Sequence, residues 1–457
     1  MTSKQSYFLV VVLLSSLVAF GANEPRKENL VFGVISDVHV RDEYPKYLED
    51  AFAFFRDKGV DAVALCGDIA NAGRSNELCL TGAAWDAVFP GDKAPDGRSV
   101  EKIFIFGNHD SYNKGDAPIS KDRAGTWRAA FHEDWAPVYA KTVKGYTFIG
   151  AHWGHEKKTA AFVRDTGEKL HLRDNRPFFH VQHPYPANTL YHPTRWGSDV
   201  GAAAAAYGSY SNAVVFSGHP HEPLTDERAI WQGSFTAIGA ASLYYIAASS
   251  VCENGTDRKK GPVQQMPKLD VFNAKPGLVM RVFDDKMVCE RWDIARNEKF
   301  GPDRVIPLDG SRPYAFEPRI AAVIPPEFPD GAAVSLSTAM GKDRRGNASE
   351  QVTLTFPAAK PSATSRVHQY EVQALAKRDG RETAVLTNFF FSEAFFLAPS
   401  HEPATGRCVI AVSALPTNEV VRFSISPIEC FGKKGKAILS QPWTASPLPL
   451  IDLQTGN

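Results

Sequence analysis

Residues 30–39 read LVFGVISDVH: a short apolar run that breaks at Ser36 into a polar triplet, Asp37-Val38-His39. The run from Leu30 to Ile35 reads as a strand, and the triplet falls where the chain leaves it. The same arrangement returns along the sequence. Val63–Cys66 runs into Gly67-Asp68, and Ile103–Phe106 into Gly107-Asn108-His109-Asp110. Phe178–Val181 precedes His183, and Ala213–Phe216 precedes Gly218-His219-Pro220-His221. Between these runs, Leu48, Ala51, Phe52 and Phe55 recur at helical spacing, and residues 76–88 form a second candidate helix. Tyr146–Ile149 and Phe235–Ile238 are further strands. Leu278–Phe283 and Lys286–Trp292, joined by Asp284-Asp285, form a hairpin. The Ala202–Ala206 run reads as a short helix. Strands alternating with helices and closing on antiparallel strands predict layered α/β packing around a mixed sheet over residues 28–310.

Past a proline-rich stretch (Pro302, Pro307, Pro313, Pro318, Pro325, Pro326 and Pro329) the period changes to two. Val352, Leu354 and Phe356 share a face, as do Tyr370, Val372 and Ala374, then Cys408, Ile410 and Val412, then Val421, Phe423 and Ile425. This alternation predicts an all-β sandwich over residues 319–440, with the prolines at the boundary.

The whole chain of 457 residues carries 51 basic and 51 acidic side chains. With no basic excess, a nucleic-acid or anionic-membrane surface is not expected, and an exported nuclease is disfavoured. Arg258-Lys259-Lys260 reads as a solvated loop. Lys4, the apolar run from Tyr7 to Phe20 and the small residues Gly21 and Ala22 have the layout of a secretory signal peptide over residues 1–22. The run is short for a membrane span, so the expectation is a secreted or periplasmic protein without stable membrane insertion. Six cysteines suit an oxidising compartment but not a zinc spacing or a disulfide framework. Cys408 and Cys430 end neighbouring strands and are the expected disulfide pair.

The five polar segments carry the chemistry. Loops leaving the carboxyl ends of strands in open α/β sheets converge on one crevice. Convergence would gather imidazoles, two carboxylates and an amide oxygen, a donor set suited to Mn, Fe or Zn rather than to a thiolate site or Ca²⁺. Each segment alone is a common turn; their joint presence, in order and at strand ends, is what informs. For the fourth segment His180 is the alternative, but Pro184 ends the strand and puts His183 at the loop.

The ordered set D-x-H, G-D, G-N-H-[DE], H, G-H-x-H resembles the calcineurin-like metallophosphoesterase superfamily, and the resemblance spans roughly residues 30–310. It implies an α/β/β/α layered sandwich and two divalent transition-metal ions. One would be held by Asp37, His39, Asp68 and His221, the other by Asp68, Asn108, His183 and His219, with Asp68 bridging. His109 would be the acid near the leaving group, so the catalytic residues expected are His109 and Asp68. Hydrolysis would proceed by in-line attack of a hydroxide shared between the cations. The motif Gly67-Asp68-Ile69-Ala70-Asn71-Ala72-Gly73 lacks the Asp and Arg of phosphoprotein phosphatases and the metal-binding Tyr of purple acid phosphatases. It is more similar to class III cyclic-nucleotide phosphodiesterases and their bacterial relatives. The C-terminal sandwich resembles a fibronectin type III-like module, unlike the nucleotide-binding domain of bacterial 5′-nucleotidases.

The substrate expected is a small phosphate monoester or diester. The reading from a different class is a non-catalytic extracellular binding or adhesion protein with a vestigial metal site; the complete ligand set argues against it. Trp127, Arg128, Trp135, Trp153, Tyr185 and Trp196 lie between the motifs as candidate pocket liners. Oligomeric state is not readable.

Overall fold

The computed structural model describes residues 28–112, 117–174, 176–191, 197–247, 269–343 and 346–445. The expected signal peptide, the Arg258-Lys259-Lys260 run, Cys252 and Trp196 lie outside them. Among the described residues no helix is long and apolar enough to cross a membrane.

The chain starts as the sequence predicts: β1 (Leu30–Ile35), α1 (Lys46–Asp57), β2 (Ala62–Leu65), α2 (Ser75–Val88) and β3 (Glu101–Phe104). Then follow α3 (Arg123–Phe131), β4 (Val138–Val143), β5 (Tyr146–Ala151), α4 (Thr159–Thr166), β6 (Phe178–Val181) and α5 (Ala202–Tyr207). The first unit ends with β7 (Ala213–Ser217), β8 (Ile230–Gln232), β9 (Thr236–Gly239), β10 (Pro276–Val282), β11 (Lys286–Asp293), β12 (Glu298–Lys299) and β13 (Arg304–Pro307). These strands make two mixed sheets, ordered β12-β11-β10-β1-β2-β3 with β13 on β11, and β4-β5-β6-β7-β9-β8.

Four layers follow from which faces are apolar. Leu48, Ala51, Phe52 and Phe55 of α1 pack with Leu78 and Trp85 of α2 on one outer face. Val163, Ala203 and Tyr207 of α4 and α5 cover the other. Between the sheets lie Phe32, Phe148, Phe179 and Phe216, with the Phe32 ring 4.7–5.7 Å from the other three. Edge-to-face contacts of this kind add about 0.5–1.5 kcal/mol each beyond area burial. This is the expected α/β/β/α sandwich. β1, β2 and β3 are parallel, as are β5, β6, β7 and β9, so the motif-bearing loops leave the same ends of their strands.

The C-terminal part opens with α6 (Phe316–Ala322) and continues with β14 (Ser335–Lys342), β15 (Ala348–Pro357), β16 (Gln369–Arg378), β17 (Arg381–Phe391) and β18 (Thr405–Ala411). It ends with β19 (Val420–Ile428), β20 (Ile438–Leu439) and β21 (Trp443–Thr444). An antiparallel sheet β14-β15-β18 faces a second, β17-β16-β19-β20 with β21 on β19. The alternating residues expected to share faces fill the space between them, Phe356 against Tyr370 at 4.9 Å. Val412 does not, because β18 ends at Ala411 and a short 3₁₀ turn begins there.

The Cys408–Cys430 pairing fails. Neither forms a disulfide and both are buried, and they face different interiors: Cys408 lies between the sandwich sheets, Cys430 in the core between the two mixed sheets. Cys430 enters that core with Phe391, Phe395, Phe396, Leu397 and Ala398, so the two halves share an apolar interior.

Around this shared core runs a buried ionic cluster. Glu227 accepts Arg319 at 2.7 Å and lies 3.6 Å from Arg304 and 3.8 Å from Arg291. Removing it should strand three cations in a low-dielectric setting. Glu227→Ala is expected to destabilise the protein by roughly 3–5 kcal/mol, read as a fall in the urea midpoint, whereas Arg128→Ala at an exposed pair should leave the midpoint in place.

Candidate metal centre

The ends of β1, β2, β6 and β7 and the loop after β3 bring the predicted residues together. Oxygen and nitrogen atoms of Asp37, His39, Asp68 and His221 lie within 4.8 Å of one another, and those of Asp68, His183 and His219 form a second such group. Asp68 belongs to both. Asn108 joins the second: its Oδ1 is 3.0 Å from His183 Nε2. His183, not His180, enters the cluster. His180 is buried on β6 with Nε2 against Gln182.

Local bonds fix which atom of each side chain points inward. His183 Nδ1 donates to the Cys66 carbonyl at 2.7 Å, and His221 Nδ1 to the Tyr245 carbonyl at 3.2 Å. A carbonyl only accepts, so the proton sits on Nδ1 and the Nε2 lone pair faces the centre. Asp37 Oδ2 accepts Ser36 Oγ–H and the His219 amide, leaving Oδ1 turned inward. Asp68 Oδ1 accepts the His109 amide at 2.8 Å.

The backbone bends sharply to do this. Asp37, His39, Asp68, His219 and His221 all have positive φ, between 47° and 74°. Left-handed backbone costs a side-chain-bearing residue roughly 1–2 kcal/mol, and strain of this kind gathers at functional sites. Gly67, at φ +92°, is required twice over, because a Cβ there would lie 2.5 Å from His183 Nδ1. A Cβ on Gly107 would lie 2.2 Å from Asp68 Oδ1.

The donors fit a pair of borderline divalent cations. Asp37 Oδ1 is buried without a hydrogen-bond partner and faces His221 Nε2 at 2.9 Å. His39 Nε2 meets His221 Nε2 at 3.3 Å, and His183 Nε2 meets His219 Nδ1 at 3.1 Å. With its proton on Nδ1, neutral His221 turns an Nε2 lone pair toward Asp37 Oδ1, and two such acceptors repel unless positive charge lies between them. Electrostatics agree. Burial would raise the Asp37 carboxyl, yet His221, His183 and His39 hold it far below the carboxylate range. Burial lowers His39 to about 3 and His219 to about 4. His183 alone goes up, to about 10: burial opposes its charge, but Asp68 and Asp37 outweigh burial.

His109 stands beside the donors. Its Nδ1 meets the Asn71 carbonyl at 2.8 Å, and its Nε2 is 4.0 Å from Asp68 Oδ2. It is not a partner of Asp110, which is spent on the backbone amides of Ile69, Ala70 and Gly107.

Of the candidate pocket liners among the described residues, only Trp153 reaches the centre, its ring 5.7 Å from His183 and 5.5 Å from His219. Trp127 and Trp135 pack around His152, Tyr185 is buried against Tyr191, and Arg128 pairs with Asp134 at the surface. Sequence reading missed Tyr112, Tyr244 and Tyr245. The Tyr112 ring lies tilted against His109 at 4.4 Å and the Tyr245 ring against His221 at 4.2 Å. The residue 242–245 segment follows β9, one more strand end on the same side, and that position was the available signal.

Residues 30–223 match the family model of the calcineurin-like phosphoesterases. No curated protein matches the chain. Among solved structures, it is similar to a conserved uncharacterized protein from Streptococcus pneumoniae, described as a predicted phosphoesterase. Identity there is 12% over 61% of this chain and 97% of that one, with a TM-score of 0.26. It is similar also to a purple acid phosphatase from yellow lupin (Lupinus luteus) seeds, at 11% identity over 61% of this chain and 53% of that one, TM-score 0.40. Vacuolar protein sorting 29 from Cryptosporidium parvum aligns at 9% identity over 61% and 97%, TM-score 0.29.

Because His183 holds a proton up to about pH 10 without a cation, metal loading must expel it. Calorimetric Mn²⁺ titrations at pH 7 in buffers of differing ionisation enthalpy are expected to show release of about one proton per chain. Apparent affinity should rise with pH, since competition by that proton fades as pH climbs toward its pKa. His183→Ala should abolish the release.

Proposed function

We propose that this protein is an exported two-metal hydrolase of a small phosphate ester, a reading supported by the match of residues 30–223 to the calcineurin-like phosphoesterase family model. The observation that carries this reading is the pair of donor groups sharing Asp68, with His109 held beside them and outside both. Export rests on the signal-like segment at residues 1–22.

Asp37, His39, Asp68 and His221 would hold one cation, and Asp68, Asn108, His183 and His219 the other. When bound, such a pair supplies Lewis-acid polarisation of phosphoryl oxygens and acidifies water. The rest is the work of side chains. Asp68 presents Oδ1 toward His183 at 3.3 Å and Oδ2 toward His39 at 3.9 Å, so one carboxylate serves both groups. Asn108 gives a neutral oxygen, which leaves the centre cationic toward an anionic ester. Its amide nitrogen donates to Tyr112 at 3.3 Å, which orients Oδ1 inward. His109 gives its Nδ1 proton to the Asn71 carbonyl and turns Nε2 to the centre. A proton carried there is in place for the oxygen that departs.

Metal analysis tests the sharing. Asp68→Ala is expected to lose both ions, while Asn108→Ala retains one and weakens the other. Wild-type stoichiometry near zero after reconstitution with Mn²⁺ or Zn²⁺ would overturn the reading.

The role of His109 is tested through the leaving group. A nitrophenolate departs unaided, whereas an alkoxide needs a proton. His109→Ala is therefore expected to slow an alkyl or nucleoside ester about 10²–10⁴-fold, to slow a nitrophenyl ester far less, and to keep both metals. Equal losses on the two esters would assign His109 to substrate positioning.

A further inference from the structure

We propose that Arg41 and Tyr244, with Phe272 beside them, form a specificity-determining subsite for the part of the substrate beyond the scissile phosphate: a planar ring joined to a second anionic group. The proposal rests on the two-metal reading above and deepens it.

Arg41 lies two residues past His39, at the exposed rim of the same loop. Its guanidinium rests 5.0 Å from the Tyr244 ring centroid. Among the described residues it makes no ion pair or hydrogen bond. Of the carboxylates near it in sequence, Asp42 is occupied by Arg74 and Asn76 and Glu49 by the Tyr44 hydroxyl and Lys46, while Glu43 makes no ion pair with it. An arginine at the mouth of the centre thus keeps its full charge. Laid against an aromatic ring, a guanidinium still offers its N–H edges, in a fork that matches two oxygens of a phosphate or carboxylate.

Tyr244 is a fixed platform. Its amide is bonded to Ser242 Oγ at 3.2 Å and to the Asp37 carbonyl at 3.3 Å. Its carbonyl accepts Lys275 Nζ at 3.1 Å. Lys275 is thereby committed to the platform, and among the described residues Arg41 is the cation over the Tyr244 ring left for a ligand. The Tyr244 ring lies 6.0 Å from His39 and 5.4 Å from Phe272, whose side chain is 50% exposed. Aromatic faces held in water beside a metal-bound phosphate invite a stacked ring. The anion that Arg41 takes is not the phosphate under attack, which belongs to the centre itself. It is a neighbouring charged group, as in a nucleoside diphosphate.

The test is calorimetric binding to the full Mn²⁺-loaded chain of two probes, inorganic phosphate and the non-hydrolysable α,β-methylene analogue of adenosine diphosphate. Phosphate reports the metal centre alone. The analogue should bind the wild type more tightly than phosphate does. Arg41→Ala is expected to weaken the analogue about 10–100-fold and leave phosphate unchanged. Arg41→Lys should restore part of the loss, having the charge without the fork. Tyr244→Leu should cost the analogue about tenfold. Equal analogue affinity in wild type and Arg41→Ala, or loss of both probes together, would overturn the subsite. Failure of phosphate to bind the loaded wild type would instead remove the two-metal reading, and the subsite with it.

Discussion

Everything at the centre turns on one buried carboxylate. Asp68 is 1% exposed and lies among three imidazoles, at 3.3 Å from His183, 3.9 Å from His39 and 4.0 Å from His109. A lone buried anion costs several kcal/mol. Burial raises the Asp68 pKa, but His183 and His39 outweigh that and hold it ionised. The cost is transferred to Asp110, which burial and the Asp68 charge push up to about 8 despite its three amide bonds. Asp110 is the staple of the two loops: by accepting from residues 69, 70 and 107 it keeps the strand end that bears Asp68 against the one that bears Asn108.

Such a centre needs a stiff frame. Left-handed backbone at Asp37, His39, Asp68, His219 and His221 stores several kcal/mol, and it persists only where the surroundings over-determine it. Here the loops bind each other as well as their own strands. The Asp37 amide donates to Gly67, His39 to Asp68, and Gly218 to the His183 carbonyl. Ser242 Oγ and the Leu243 and Tyr244 amides close over Asp37 and Ser36 from the β9 side. Beneath them the phenylalanines between the sheets and the tryptophan-rich layer under α2 give the strands no slack.

The donors were legible because each is tied to a short motif at the end of an apolar run, and both signals survive in a single sequence. The layered fold followed from the same alternation. Edges moved by a residue or two: β3 ends at Phe104, since Ile105 bonds to Leu65 beyond the regular ladder. What stayed hidden was whatever depends on partners distant in sequence. Cys408 and Cys430 read as the ends of neighbouring strands, yet Cys408 sits within β18, Cys430 lies two residues beyond β19 of the other sheet, and they face separate cores. β4 has only one fully buried residue and an amphipathic pattern too weak to announce a strand. Tyr244 and Tyr245 carry no motif at all. They matter because the β9 loop returns to the Asp37 strand, a pairing that no local pattern encodes. Of the described tryptophans named in their place, Trp127 is core and Trp135 is half-buried against the same layer, a common fate of large aromatics.

The C-terminal sandwich is tied to the same machinery. Leaving the His221 loop, the chain passes through Thr225, Asp226, Glu227 and Arg228, and this segment carries the contacts between the two halves. Thr225 Oγ donates to the Phe395 carbonyl, and Arg319 of α6 donates to the Glu227 carbonyl and pairs with its carboxylate at 2.7 Å. Behind them, Arg304 donates to the Asp226 carbonyl at 2.8 Å, and Asp226 and Arg228 form a fully buried pair within the first unit. Phe391, Phe395 and Phe396 supply apolar area, which is non-directional and would tolerate many orientations. The ionic contact is directional: a shift of the sandwich would pull Arg319 away from the Glu227 carboxylate and from the Glu227 and Ile230 carbonyls, at a cost of several kcal/mol. The apolar contact thus drives docking while the charges choose its register. Because those contacts fall on Thr225 and Glu227, a few residues past His221, the sandwich buttresses the loop after β7 rather than trailing from the first unit as an independent module.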